Sequence, residues 1–200
     1  ANKGGQRFLL KRLAIGQAVP DEVAALLSND KAALTALQHV GLPTGLQLFH
    51  EGGFLYTVVD HFEGQTLLEN VYPHRSQNDG IELGQCIIPS LDHAIRWAFH
   101  LVDILWYLHG QKPFPIIHRN INPLTVWVEY STRHLRLADF GLTNSFQRVA
   151  EKSSDGSPMK PGGFASPDLL GDGWGDVRTD IYAFGRMLDF LFSAQYRRMP

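Results

Sequence analysis

Two short polar motifs, in fixed order, constrain this chain more than any other feature of its sequence. The first is His118-Arg119-Asn120, which opens the stretch 118–125, and the second is Asp139-Phe140-Gly141. Each tripeptide alone occurs by chance in many unrelated chains. A motif gains meaning from the elements that surround it. The order of the two motifs and their neighbours therefore decides the interpretation.

The two motifs resemble the catalytic loop and the magnesium-binding loop of protein kinases. In that family the catalytic loop has the pattern His-Arg-Asp, with a Lys two residues after the Asp and an Asn three residues after that Lys. The same positions in this chain hold Asn120, Asn122 and Thr125. The resemblance implies that the proton acceptor, the phosphate-binding cation and the ligand of a second magnesium ion have all been replaced.

The replaced side chains are poorly suited to phosphoryl transfer. Asn120 carries a neutral carboxamide without useful basicity, Asn122 offers no charge to a phosphate, and the Thr125 hydroxyl is a short, weak metal ligand. Loss of one catalytic group typically lowers the rate by about a hundredfold or more. We therefore expect no intact catalytic residue in this loop.

The rest of the sequence predicts alternating strands and helices. Strands are expected over 7–13, 46–50 and 55–62, the last two joined by a turn at Glu51-Gly52-Gly53. Apolar residues at three- and four-residue steps predict a helix over 20–41. In the family this helix is regulatory, and a glutamate on it pairs with a strand lysine. The resemblance makes Asp30 or Glu22 the candidate partner of Lys11. The alternative is that these carboxylates are exposed and pair with no lysine.

The second half of the chain is predicted to be mainly helical. A helix is expected over 91–109, between Ser90 and Gly110. Its expected inner face comprises Ala94, Ala98, Leu101, Val102, Leu105 and Leu108. A further helix opens at Asp180 and is expected to run to about residue 192. The polar stretch 73–80 is predicted to be an exposed loop.

The resemblance implies an α+β, bilobal protein-kinase-like fold. The small lobe would span 1–62 and the mainly helical large lobe 63–200, with an activation-like segment over 139–168. As given, the chain lacks the family's glycine-rich loop strands and the last helices of its large lobe, so we expect a truncated form. His118, Arg119, Phe140, Gly141 and Asp180 are expected to be structural.

The resemblance also assigns residues to a nucleotide site. Lys11 occupies the position of the phosphate-contacting lysine, and Asp139 that of the magnesium-binding aspartate. Asp60 and Phe62, on a stretch that resembles the hinge, would contact ATP if it binds.

Two large side chains predict that the adenine slot is obstructed. Leu9 takes the place of a small alanine at its roof, and Trp127 lies at its floor. Overfilling such a slot costs ~1–3 kcal/mol. The alternative is that the Trp127 indole turns away into the core and leaves the slot open. We expect no cofactor, with ATP and magnesium as the open alternatives.

Composition excludes several other functions. The formal charge of −2 and a pI near 6.5 give no electrostatic reason to expect nucleic acid. The single cysteine, Cys86, excludes an internal disulfide framework, and the sequence offers no membrane span, so a cytoplasmic location is expected. The nine histidines show no metal-ligand spacing.

The sequence thus predicts a pseudokinase domain, catalytically impaired, that acts as a regulatory or protein-binding module. Its partner would be a protein, such as an active kinase or another signalling protein. The alternative is a weakly active Ser/Thr protein kinase that transfers the ATP γ-phosphate to protein hydroxyls with the help of Lys11 and Asp139.

Overall fold

The computed structural model describes residues 2–3, 6–14, 35–45, 47–71, 74–77, 80–83, 89–138, 163–170 and 175–196. The described residues up to Phe62 form one compact unit, and those from Glu63 onward form a second. In the described part of the chain, no helix has the length and apolar character that a membrane span requires.

The described residues of the first unit form an antiparallel sheet. Its strands are β1 (Asn2–Lys3), β2 (Gln6–Ala14), β3 (Gln47–Glu51) and β4 (Phe54–Asp60), in the order β1-β2-β4-β3. Between β3 and β4, Gly52 and Gly53 have φ of 58° and 80°, the left-handed conformation that favours glycine in tight hairpins. The predicted hairpin and its turn are confirmed, although β4 begins and ends earlier than expected.

The helix predicted over 20–41 lies mostly outside the described residues. The described part shows that its predicted end is wrong: Thr35 is helical, but residues 36–41 are not, so the helix ends before the expected stop at Gly41. The candidate carboxylates Asp30 and Glu22 also lie outside the described residues, so the expected pairing with Lys11 stays a prediction.

The second unit contains the larger part of the described core. Its elements are β5 (Gly64–Thr66), α1 (Leu67–Val71), β6 (His74–Gln77), β7 (Gly80–Leu83), α2 (Leu91–His109), β8 (Val126–Glu129), β9 (Leu135–Leu137), α3 (Pro167–Leu170) and α4 (Val177–Tyr196). Strands β5, β8 and β9 form an antiparallel sheet with β8 in the middle. Helix α2 packs against β9 and α4, so this unit is held together by the burial of apolar side chains between α2, α4 and the sheet.

Helix α2 begins and ends where the sequence predicts. The Ser90 hydroxyl accepts a hydrogen bond from the His93 amide at 3.3 Å, which satisfies one of the free amides at the helix start. The expected inner face is partly wrong, because Val102 is 44% exposed while Trp97 and Ile104 are buried. Helix α2 carries apolar residues on two sides, and periodicity alone does not decide which side faces the core.

The expected exposed loop over 73–80 is wrong where the structure describes it. Strands β6 and β7 pair as an antiparallel hairpin, from His74 opposite Leu83 to Gln77 opposite Gly80. Within the two strands the apolar residues are Ile81 and Leu83, both on β7. The sequence of β6 therefore shows no apolar alternation, which is the signal that predicts a strand.

Candidate functional site

Asp180 is the centre of a buried cluster that fixes the start of the catalytic-like loop. It lies in the first turn of α4 and is fully buried. Its Oδ2 accepts a hydrogen bond from the amide of His118 at 2.8 Å, and its Oδ1 accepts one from the amide of Arg119 at 2.8 Å. His109, at the end of α2, places Nε2 2.9 Å from Oδ2. We call these four residues the Asp180 cluster.

The cluster holds the backbone in an uncommon conformation. Arg119 has φ of 63°, in the left-handed region that a bulky side chain rarely adopts. Such a residue persists only where its surroundings determine it. The hydrogen bonds from His118 and Arg119 to a buried anion supply that constraint, because charge-assisted hydrogen bonds are the stronger kind.

The side chain of His118 connects the catalytic-like loop to the end of β9. Its Nδ1 accepts a hydrogen bond from the Asn120 amide at 3.3 Å, and its Nε2 lies 3.2 Å from the carbonyl oxygen of Ala138. A nitrogen that accepts carries no proton, so this network assigns the proton to Nε2, which donates to Ala138. Ala138 directly precedes the Asp139 motif, so His118 links one motif to the residue before the other.

The three replaced positions bond to one another. The Asn122 side-chain amide donates to the Asn120 carbonyl oxygen at 3.0 Å and to the Asn120 Oδ1 at 3.1 Å. The Asn122 backbone amide donates to the Thr125 Oγ1 at 3.1 Å. We call Asn120, Asn122 and Thr125 the loop network. These hydrogen bonds join the three residues within the loop.

The Thr125 hydroxyl points into the loop. Thr125 is 4% exposed, and its Oγ1 donates to the Asn120 carbonyl oxygen at 2.6 Å. Its own amide and that of Val126 both donate to the Asn122 carbonyl oxygen at 3.1 Å. The hydroxyl proton is thus used by the Asn120 carbonyl oxygen, and one of the two lone pairs of Oγ1 is used by the Asn122 amide.

Asn122 also closes a local turn. Its Oδ1 accepts a hydrogen bond from the Leu124 amide two residues later, at 2.9 Å. This arrangement is the turn that Asn and Asp side chains form with their own backbone. At the position where the family has a phosphate-binding lysine, this chain therefore has a turn-forming amide.

The sheet of the first unit carries the other residues assigned to a nucleotide site. Lys11 lies on β2 opposite Thr57. Leu9 is 37% exposed and lies opposite the buried Val59. Phe62 is half-buried.

Asp60 ends β4 and makes hydrogen bonds to the turn that precedes β3. Its Oδ2 accepts a hydrogen bond from the Thr44 hydroxyl at 3.0 Å, and its amide donates to the Thr44 carbonyl oxygen at 2.9 Å. Gly45 has φ of 67°, and a Cβ there would lie 2.8 Å from the Asp60 carboxylate. The position therefore favours glycine, and Asp60 has a role in this turn that the sequence does not reveal.

Trp127 lies on β8 in the second unit, between Thr66 on β5 and Arg136 on β9, and is half-buried. Asp139, Phe140 and Gly141 lie outside the described residues. Obstruction of an adenine slot by Leu9 and Trp127, and metal binding by Asp139, thus stay predictions.

Residues 163–168, which end the activation-like segment, contact α4. The Asp168 carboxylate accepts a hydrogen bond from the Thr179 hydroxyl at 2.7 Å. The Arg186 Nε donates to the Gly163 carbonyl oxygen at 2.7 Å, and the rings of Phe164 and Phe190 meet edge to face at 6.2 Å. Helix α4 thus positions both this segment and, through Asp180, the catalytic-like loop.

Little in the sequence indicates that His109 and Thr179 take part in these contacts. A histidine in the last turn of a helix is ordinarily explained by the helix dipole. A threonine near a helix start is ordinarily explained by capping. Only the fold brings them to Asp180 and Asp168.

A family comparison decides what kind of chain this is. Residues 4–198 match the family described as protein tyrosine and serine/threonine kinase. The chain belongs to the protein kinase family. The resemblance inferred from the two motifs is therefore confirmed.

Curated kinases match the chain in sequence. The probable serine/threonine-protein kinase WNK6 of Oryza sativa subsp. japonica is 34% identical over 90 residues, which cover 45% of this chain and 19% of that protein. The cysteine-rich receptor-like protein kinase 36 of Arabidopsis thaliana is 24% identical over 191 residues, 96% of this chain and 27% of that protein. The chain thus spans only about a fifth to a quarter of the length of these two kinases.

Solved structures share the fold. The Mycobacterium tuberculosis PknI kinase domain matches with a TM-score of 0.64 and 20% identity, over 92% of this chain and 63% of that domain. At this identity the likeness shows the fold alone. The expected α+β, kinase-like fold is confirmed.

Proposed function

We propose that this chain is a pseudokinase domain, a kinase fold that acts as a regulatory or protein-binding module without efficient phosphoryl transfer. The observation that carries the proposal is the loop network. At the position where the family has a carboxylate that accepts the proton of the attacking hydroxyl, the chain has Asn120, a carboxamide with no useful basicity.

The contacts of the loop network support this proposal. Kinase catalysis depends mainly on positioning and on charges that stabilise the transferred phosphoryl group. Asn122 and Thr125 bring no charge to the loop, and their polar atoms bond to the loop's own backbone. Substrate or phosphate would have to compete with these internal bonds.

The donor set also argues against a second magnesium ion. Active members of this family use ATP and magnesium, and magnesium prefers carboxylate oxygens and water in an octahedral arrangement. At the family's second-metal position the Thr125 hydroxyl brings no negative charge, and its oxygen already accepts a hydrogen bond from the Asn122 amide. We therefore propose no step through a metal at this position.

A phosphotransfer assay tests the proposal. Purified protein is incubated with labelled ATP, magnesium and a generic protein substrate, and autophosphorylation is followed in the same samples. We expect no transfer above background. The matched variant Asn120→Asp/Asn122→Lys/Thr125→Asn restores the family pattern, so a gain in that variant would show that these three positions limit the chemistry.

Two outcomes would contradict the proposal. Transfer by the unmodified chain at an ordinary kinase rate would make it a catalyst. Slow transfer that disappears in Asp139→Ala would establish the weakly active Ser/Thr kinase instead.

Nucleotide binding is a separate question with its own measurement. A ligand at about a hundred times its Kd stabilises a folded protein by ~2.7 kcal/mol, which raises the Tm. We expect no shift with ATP and magnesium, because Leu9 and Trp127 replace smaller residues at the expected slot. A shift that survives Leu9→Ala and Trp127→Leu unchanged would refute obstruction, yet leave the pseudokinase proposal standing.

A further inference from the structure

Helix α2 carries a second apolar stripe on its exposed side. The side chains of Ile95, Phe99, Val102 and Trp106 are 41%, 70%, 44% and 77% exposed. They follow one another at steps of four, three and four residues, which is the spacing of the a and d positions in a coiled-coil heptad. We propose that a second copy of this chain packs antiparallel on this stripe and forms a symmetric dimer.

The stripe is complementary to itself in shape. In an antiparallel pair related by a twofold axis, each a position meets a d position of the second copy. Ile95 then faces Trp106 of the second copy, and Phe99 faces its Val102. Each layer pairs one aromatic ring with one β-branched side chain, so every layer contains one large and one small residue.

The stripe is also complementary to itself in charge. Arg96 and Asp103 each directly follow a d-type residue and are exposed, so both lie on the same flank of the stripe. An antiparallel pair brings this flank against the same flank of the second copy, which places Arg96 beside Asp103 of the other chain, twice by symmetry. Parallel pairing would instead oppose it to the flank of Ala98 and Leu105, which offers no charge.

The ion pair that Arg96 makes within α2 does not compete strongly. Its Nε lies 2.9 Å from the Asp92 Oδ2, and the two side chains are 69% and 67% exposed. Exposed pairs of this type contribute about 0.3–0.5 kcal/mol in a helix. Arg96 can therefore turn toward Asp103 of a second copy at little cost.

The exposed area is sufficient for a specific contact. Full burial of a Phe or Trp removes about 150–250 Å² from water. The Phe99 and Trp106 rings of two copies would thus supply roughly half of the ~1,000 Å² that a specific interface needs. The exposed side chains of Ile95 and Val102 in both copies add to this area.

Sedimentation of the whole chain over a wide concentration range tests the dimer. We expect a reversible monomer–dimer equilibrium. Arg96→Asp and Asp103→Arg each bring like charges together and should weaken association about tenfold or more. The double variant Arg96→Asp/Asp103→Arg restores opposite charges and should recover the affinity. An equimolar mixture of the two single variants should associate more strongly than either alone.

Matched controls keep the test decisive. Arg178→Asp changes the same charge at an exposed position on α4 and should leave association unchanged. Phe99→Ser removes a central ring and should abolish the dimer while circular dichroism shows an intact fold.

Three results would overturn the proposal. One is a monomer at every concentration, and another is a dimer that the charge reversals leave unchanged. The third is a stripe that binds a different protein while the chain itself stays monomeric. None of these results depends on whether the catalytic-like loop transfers phosphate.

Discussion

The Asp180 cluster and the loop network occupy the same loop but differ in charge and in their relation to the family. The cluster is built on a buried carboxylate, and its residues His118, Arg119 and Asp180 match the family pattern. The loop network consists of neutral amides and a hydroxyl at the positions where the chain departs from that pattern. The shape of a catalytic loop and its chemistry are therefore separable.

Different physical forces explain this separation. The left-handed Arg119 is strained, and it needs the anion of Asp180 to hold it. The polar groups at Asn120, Asn122 and Thr125 need only be hydrogen-bonded where they are buried, and neutral side chains can do that. The Asp180 cluster can therefore be kept while the residues of the loop network change.

The largest effect is expected from Asp180→Ala. The substitution leaves the amides of His118 and Arg119 without their acceptor inside the unit, and each lost charge-assisted bond costs ~1.5–3 kcal/mol. We expect the free energy of unfolding to fall by about 3–5 kcal/mol, measured by chemical denaturation followed by circular dichroism.

Asp189→Ala is the control for this variant. Asp189 lies on the same helix, and its side chain is 60% exposed in its pair with Arg186. Its removal should change stability little, because exposed pairs contribute ~0–1 kcal/mol. If the two variants lost the same stability, the Asp180 cluster would have no special structural role.

A smaller loss is expected from Thr125→Val. Valine has nearly the same shape, but it removes the donor to the Asn120 carbonyl oxygen and the acceptor of the Asn122 amide in a buried position. We expect a loss of about 1–3 kcal/mol. Removal of an exposed hydroxyl by Ser131→Ala should cost under ~0.5 kcal/mol. A neutral result at Thr125 would mean that the loop network does not support the loop.

The sequence predicts some parts of this molecule well, for a physical reason. The bounds of α2 follow from a capping serine, a long apolar repeat and a following glycine, which are all local signals. The hairpin of β3 and β4 follows from Gly52-Gly53, where the backbone conformation favours glycine. The three replaced positions of the catalytic-like loop follow from motif spacing alone.

Other parts depend on tertiary contacts. Nothing local distinguishes the buried side of α2 from its exposed stripe, so the apolar repeat does not show that Trp97 is buried and Val102 exposed. The polar strand β6 depends on its pairing with β7. The contact of His109 with Asp180 joins residues 71 positions apart, and sequence spacing offers no signal at that distance.

The smallest loss of stability is expected from mild acid. Acid does not change the charge of the loop network, because Asn120, Asn122 and Thr125 do not titrate. His100 on α2 contacts the ring of His134 edge to face at 4.6 Å. Burial lowers the pKa of His100, and the nearby charges of His134 and Arg96 lower it further, against the opposing effect of Asp103.

The direction of the pH dependence follows from the lowered pKa. In the unfolded chain His100 takes up a proton as the pH falls through about 6.5, whereas in the folded chain it does so only at lower pH. The unfolded state therefore binds more protons in this window, and stability decreases as the pH falls below about 6.5. We expect the loss to be smaller than that of Thr125→Val.

His100→Phe keeps a ring in the contact with His134 and removes the titration. Denaturation at a series of pH values should show a flatter profile for this variant below pH ~6.5. Thr125→Val is the matched control, since it changes no titratable group and its loss of stability should be the same at each pH. If His100→Phe followed the profile of the unmodified chain, the acid sensitivity would have to originate elsewhere.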